Sequence, residues 1–368
     1  MQLDYKTRQH ALQAVRERLG LDAIAIVPGA NMVYFTGLHF HLSERPIIAF
    51  FDENGLSLIV PQLEVTKAVE RPDLEARVFE WRDRDGYEGA FRQAVDDLGL
   101  RGGRLGVDGM TMRVTELYAF WEIDSTLNVR AIEKDLIRIR ARKNPDEIDS
   151  MRRAVRISEK ALENLLAWVK PGMTERQIAT RLTSEMLALG GEEEAFGALV
   201  QTGPNSANPH GSLSDRAIQE GEFFLLDFGC KVDGYPADIT RTFCLGEPSA
   251  EMQTIFDTVV RANETARFAA KPGMAMGDLD KIARDVITEA GYGEYFIHRL
   301  GHGLGLEVHE PIPQIAQDVI DVLEPGMTFT IEPGIYVPGL GGCRIEDNVV
   351  VTGGGLDTLT SFPRKLRV

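Results

Sequence analysis

Cysteine is scarce in this 368-residue chain, which carries three: Cys230, Cys244 and Cys343. A small, odd number excludes a disulfide framework, and the lack of any CxxC pair excludes a thiolate zinc site. All three stand in strand-like stretches, where cysteine serves as a small buried side chain. No apolar run approaches the roughly 20 residues of a membrane span, so the membrane is left out as a partner. The opening stretch MQLDYKTRQHALQAVRERLG reads as an amphipathic helix of mixed charge and holds none of the continuous apolar segment of a secretory signal. The expected location is the cytoplasm. Positive charge is in deficit, with 40 Lys and Arg against 56 Asp and Glu and a net charge of −16. That balance argues against nucleic acid or an anionic lipid surface. With 43% hydrophobic residues there is ample material for a core, and the length predicts two domains.

Residues 1–132 alternate strand and helix patterns and form the first expected domain. Apolar runs at 23–27, 46–51, 56–61 and 104–109 are bounded by Gly, Pro or Asp and read as strands, while 86–100 and 113–121 read as helices. His39 and His41 have no carboxylate partner nearby and read as loop residues. A boundary falls near 130–145, where the basic run KDLIRIRARKNPDEID ends the last helix of the first domain and starts a new one; the second expected domain is 133–368. There Asn144 caps a helix opened by Pro145, and Asp146 and Glu147 favour its positive end. This domain repeats itself. KPGMTERQIA (170–179) is echoed by KPGMAMGDLDKIA (271–283), and GEFFLLD (221–227) by GMTFTIE (326–332). The fold class is therefore α/β with α+β character: a mixed-sheet first domain and a second built of two similar halves.

Each half ends in a hairpin carrying two acids. In FLLDFGCKVDGYPADITRTF, Asp233-Gly234 is a strong turn signal that sets Asp227 opposite Thr240 and makes Asp238 its diagonal neighbour on the same face. In TFTIEPGIYVPGLGGCRIEDNVVV, a turn at Gly339 sets Glu332 opposite Glu346. These acids follow or sit within apolar stretches, where burial without cations is very expensive. Between the hairpins stands His302 in GHGLG. Four carboxylates and one imidazole balance two divalent cations, and oxygen donors with a single imidazole suit manganese, cobalt, zinc or iron. Arg344 shares the strand face of Glu346, placed to orient a ligand or hold an anion. His210, in NPHGS, and His309, in EVHEP, lie on loops and carry no signal of their own.

Asp227, Asp238, His302, Glu332 and Glu346, with DFGCKVDGYPADITRTF, GHGLGLEVHE, EPGMTFTIEPGIY and GGCRIEDNVVV in order, resemble the pita-bread metallopeptidase family. Its members include methionine aminopeptidases, aminopeptidases P, prolidases and creatinases. The resemblance implies a creatinase-like N-terminal domain, a pseudo-twofold pita-bread catalytic domain, two divalent metal ions with manganese foremost, and a homodimer. It further implies that Asp227 chelates one ion, that Asp238 and Glu346 bridge both, and that His302 and Glu332 complete the ligand set of the second ion. By the same resemblance Glu332 shuttles the proton of the attacking water, and His210 and His309 stabilise the carbonyl and its oxyanion. The first domain and the full ligand set imply cleavage of a bond to proline in a peptide. After His309-Glu310 the chain reads Pro311-Ile312-Pro313-Gln314, without the arginine that prolidases commonly place there. That departure favours aminopeptidase P over prolidase, the alternative, and leaves Arg45, Arg344 or another first-domain residue to supply a missing charge. Methionine aminopeptidase and a non-catalytic binding module on the same fold are more distant alternatives.

Overall fold

The computed structural model describes residues 5–368, so the first four residues of the expected N-terminal helix lie outside the described residues. From Tyr5 to Leu19 that helix is present. The chain divides into two compact units between Arg140 and Ala141.

In the first unit a six-stranded mixed sheet is formed by β1 (Ala23–Ile26), β2 (Ile48–Asp52), β3 (Gly55–Pro61), β4 (Arg77–Trp81), β5 (Arg104–Val107) and β6 (Asn128–Ala131), in the order β4-β3-β2-β1-β5-β6. The four strands legible as apolar runs are its centre. The two edge strands, β4 and β6, escape the sequence reading because neither is a continuous apolar run: RVFEW alternates, burying Phe79 and Trp81 between exposed residues, and NVRA is short and mostly exposed. Helices Glu88–Asp97 and Val114–Ile123 fall where the sequence placed them. His39 and His41 lie in an irregular stretch, as expected. Helix Glu133–Ala141 lies in this unit as far as Arg140 and is tied to the unit's other helices: Arg18 pairs with Asp135, and the Tyr34 hydroxyl donates to the Ile139 carbonyl.

The second unit shows why its sequence repeats. Each half has a long helix, Pro145–Leu166 or Ala250–Ala269, followed by a KPGM turn and a 14-residue helix, Glu175–Ala188 or Met276–Glu289. The turns make matching backbone bonds: Gly172 and Met173 pair with Ile218, and Gly273 and Met274 pair with Leu323. Asn144 and Glu147 form a reciprocal cap at the first long helix. Each half buries its own core, one around Leu162, Leu182 and Phe224, the other around Val259, Leu279 and Phe329. All three cysteines are buried and unbridged.

One buried ion cluster joins the halves. Asp347 is fully buried and accepts from Arg241 Nη2 at 2.9 Å, Arg364 Nη2 at 2.6 Å and Thr360 Oγ1 at 2.7 Å. Arg241 also donates to the Glu346 carbonyl, so the segment carrying Glu346 is tied to strand Ile239–Cys244. Burial opposes the charge of Asp347, yet Arg241 and Arg364 hold its carboxyl well below the usual range. Asp347→Asn should therefore leave buried arginines uncompensated and cost about 3–5 kcal/mol near pH 7, read from the urea midpoint. Because the folded-state pKa is depressed, this contribution is complete above roughly pH 4 and fades as pH falls. The gap between wild type and variant should narrow in acid.

Candidate metal centre

The acids converge because both hairpins keep the register their turns dictate. Asp233 and Gly234 have φ of 50° and 77°, the left-handed pair a two-residue hairpin turn requires. Asp227 pairs with Thr240 accordingly. In the second hairpin the pairs Ile331–Asp347 and Gly334–Arg344 bracket Glu332 and Glu346, which therefore face each other. Two glycines allow the close approach. A Cβ on Gly229 would stand 1.8 Å from the Ala237 carbonyl oxygen, and one on Gly301 would stand 1.8 Å from that of Thr330.

Donor atoms of Asp227, Asp238 and Glu346 lie within 4.8 Å of one another, and so do those of His302, Glu332 and Glu346. His302 Nε2 is 3.5 Å from Asp238 Oδ2 and 3.4 Å from Glu332 Oε1. Ligand atoms each about 2.1 Å from one cation stand at comparable separations. His302 Nδ1 lies 3.1 Å from the Gly303 carbonyl oxygen, so it carries the hydrogen and Nε2 presents its lone pair to the acids. A third trio sets His309 with Asp238 and His302.

This cluster is electrostatically unsatisfied by the protein alone. Burial, then Asp227 and Glu332, push the carboxyl of Asp238 well up; burial, then Asp238, does the same to Glu346. Burial lifts Glu332 to about 7 and lowers His302 to about 3. Asp227 Oδ1 is buried with no hydrogen-bond partner, while its Oδ2 accepts from Arg344 Nη2 at 2.6 Å. A buried, orphaned carboxylate oxygen among four acids fits a divalent cation.

Arg344 is buried among these acids with all three guanidinium nitrogens engaged. Nε donates to Thr240 Oγ1 at 3.0 Å, Nη1 to the Tyr336 hydroxyl at 2.8 Å and Nη2 to Asp227. Thr240 in turn donates to Glu346 Oε2 at 2.6 Å. His298, which the sequence reading missed, faces the same cavity, with Nε2 2.9 Å from the Tyr336 oxygen and Nδ1 2.7 Å from the Arg299 carbonyl. Its only signal is the spacing of a third histidine before GHG.

His210 and His309 line that cavity, which measures about 780 Å³, and the His302 and His309 rings lie 3.9 Å apart between centroids. The loop bearing His210 is gripped by Glu175, which accepts from the backbone N–H of Thr202 at 2.8 Å and of Ser214 at 3.0 Å. Beside His309, Glu310 is buried in an ion pair with Lys143 at 2.7 Å. The strand Glu310–Ile315 slips register against His302–Gly303, absorbing the prolines that stand where an arginine was looked for.

A cavity floored by four convergent acids and an imidazole defines a metallohydrolase centre. The comparisons agree. "Creatinase/Prolidase N-terminal domain" matches residues 8–141 and "Metallopeptidase family M24" matches 149–353. The Xaa-Pro dipeptidase of Pyrococcus furiosus is 37% identical over 361 residues, 98% of this chain and 99% of that one. A prolidase from Thermococcus sibiricus superposes with a TM-score of 0.94 at 34% identity, both chains covered to 100%. An X-Pro aminopeptidase from Thermotoga maritima gives 0.85 at 34% identity, covering 96% of this chain and 100% of that one. The chain belongs to metallopeptidase family M24, with the creatinase/prolidase N-terminal domain ahead of a pita-bread catalytic domain.

Since raised carboxyl pKa values mean protons held near neutrality, cation uptake must expel them. Affinity for Mn²⁺ should rise with pH through about 7, with proton release seen by calorimetry in buffers of different ionisation heat. An affinity flat between pH 6 and 8 would contradict this electrostatic picture.

Proposed function

We propose that the chain is an Xaa-Pro dipeptidase, hydrolysing the bond between one residue and a terminal proline. The alternative ranked second from the sequence thus moves ahead of aminopeptidase P. The observation carrying it is the full-length match to the Pyrococcus furiosus Xaa-Pro dipeptidase, supported by the higher TM-score of the Thermococcus sibiricus prolidase over the Thermotoga maritima aminopeptidase. The apolar walls Phe196, Leu199, Pro209 and Val308 suit a pyrrolidine ring.

Asp227, Asp238, His302, Glu332 and Glu346 would hold two divalent cations, with Asp238 and Glu346 shared because each falls in one trio with Asp227 and in another with His302. Manganese, cobalt, zinc or iron suits such donors. The cations supply electrophilic activation of water and of the scissile carbonyl. Glu332, a carboxylate at the floor of the cavity, takes the proton of the attacking water and returns it to the departing proline nitrogen, a secondary amine that must leave protonated. His309 is kept neutral by burial and Arg299, so with His210 it offers an N–H to the carbonyl oxygen as charge gathers there.

Asp238→Ala and Glu346→Ala should each abolish turnover and lower bound metal by elemental analysis; retained activity in either removes its shared role. On unmodified protein, Ala-Pro should turn over faster than Ala-Pro-Ala. The reverse order would restore aminopeptidase P.

A further inference from the structure

We infer that Arg299 is the carboxylate anchor of this cavity, the residue that reads the free C-terminus of the substrate; this rests on the dipeptidase reading. A dipeptide ending in proline carries its negative charge one residue beyond the scissile bond. An enzyme selecting it needs an uncommitted cation within the same cavity.

The candidates reduce by their existing bonds. At the position after His309-Glu310 where an arginine was sought stands Pro311-Ile312-Pro313. Arg344 is buried and spends its three nitrogens on Thr240, Tyr336 and Asp227. Arg45 is held within the first unit by Asp83, at 2.8 Å, and Glu44. Arg299 lines the cavity, is half-buried, and among the described residues its guanidinium makes no recorded hydrogen bond or ion pair. Its charge is felt at His302, His309 and Glu332.

Its mount is rigid. Arg284, paired with Asp280, donates to the carbonyls of Phe296 at 2.9 Å and His298 at 2.9 Å. Asp280 accepts from the Leu300 N–H at 2.8 Å, and the Leu300 carbonyl accepts from the Glu332 N–H at 2.8 Å. The Arg299 carbonyl is itself held by His298 Nδ1. The fixed backbone sets where the side chain starts, and its planar fork can take a carboxylate by two parallel bonds. Once cations balance the four acids, Arg299 is the positive charge in the cavity still without a partner, and the leaving proline's carboxylate supplies it.

The test compares Ala-Pro, Ala-Pro-amide and Ala-Pro-Ala on wild type, Arg299→Met and Arg299→Lys, each checked for metal content. Calorimetric titration with free proline and prolinamide gives a binding readout independent of turnover. Wild type should prefer the dipeptide over its amide. Arg299→Met should collapse that preference by about 10- to 100-fold, chiefly through KM, and weaken proline binding similarly. Arg299→Lys should recover part of it. A wild-type preference that survives in Arg299→Met overturns the anchor and leaves the dipeptidase reading standing. Equal loss on dipeptide and amide also overturns it, marking a structural role. A wild type indifferent to the free carboxylate overturns the dipeptidase reading, and the anchor with it.

Discussion

Mutual repulsion among buried carboxylates is the constraint on which the catalytic unit is organised. Asp238 and Glu346 are almost wholly buried, with Asp227 and Glu332 close enough to raise their pKa values further. Like charges at such depth are tolerable only with countercharge supplied in place. Arg344 satisfies one oxygen of Asp227 and leaves the other bare. The remaining imbalance is what a divalent cation would correct, and it makes the protein's affinity for metal and its readiness to titrate two faces of one energy.

Holding repelling groups together needs a scaffold that cannot relax. Each half packs helices against a hairpin and contributes one pair of acids. The halves are then clamped behind the ligands by Asp347 and its arginines, facing away from the cavity on the residue next to Glu346. Opposite charges behind the strand thus offset the strain of like charges in front of it. Tight strand contact at Gly229 and Gly301 completes the arrangement, since a side chain at either would part the strands that aim the ligands.

Much of this was legible because hairpin register follows from local turn chemistry. Asp233-Gly234 fixes the pairing of Asp227 with Thr240, and the turn at Gly339 sets Glu332 against Glu346, with no bulge intervening in either hairpin. The repeat was legible because both halves solve one packing problem with the same KPGM turn. The edge strands gave no continuous apolar run, since RVFEW alternates and NVRA is mostly exposed. His298 and Tyr336 were invisible for a different reason: their importance lies in bonds to Arg299 and Arg344 across the fold. The lack of an arginine after Glu310 is plain in the sequence but favoured the reading that now ranks second; Arg45 and Arg344, named with other first-domain residues to supply its charge, are both engaged.

The chain of bonds from Arg299 through His298 and Tyr336 to Arg344 has a fixed direction. Arg344 can only donate, so the Tyr336 oxygen accepts there and sends its own hydrogen to His298 Nε2, leaving Nδ1–H for the Arg299 carbonyl. Burial, with Arg344 nearby, depresses His298 to about 4, and burial raises Tyr336, so neither changes protonation near neutrality. Every hydrogen is already assigned and no site is vacant to receive another. The relay is a strut rather than a wire: it ties the position of Arg299 to that of Arg344 and conducts no protons.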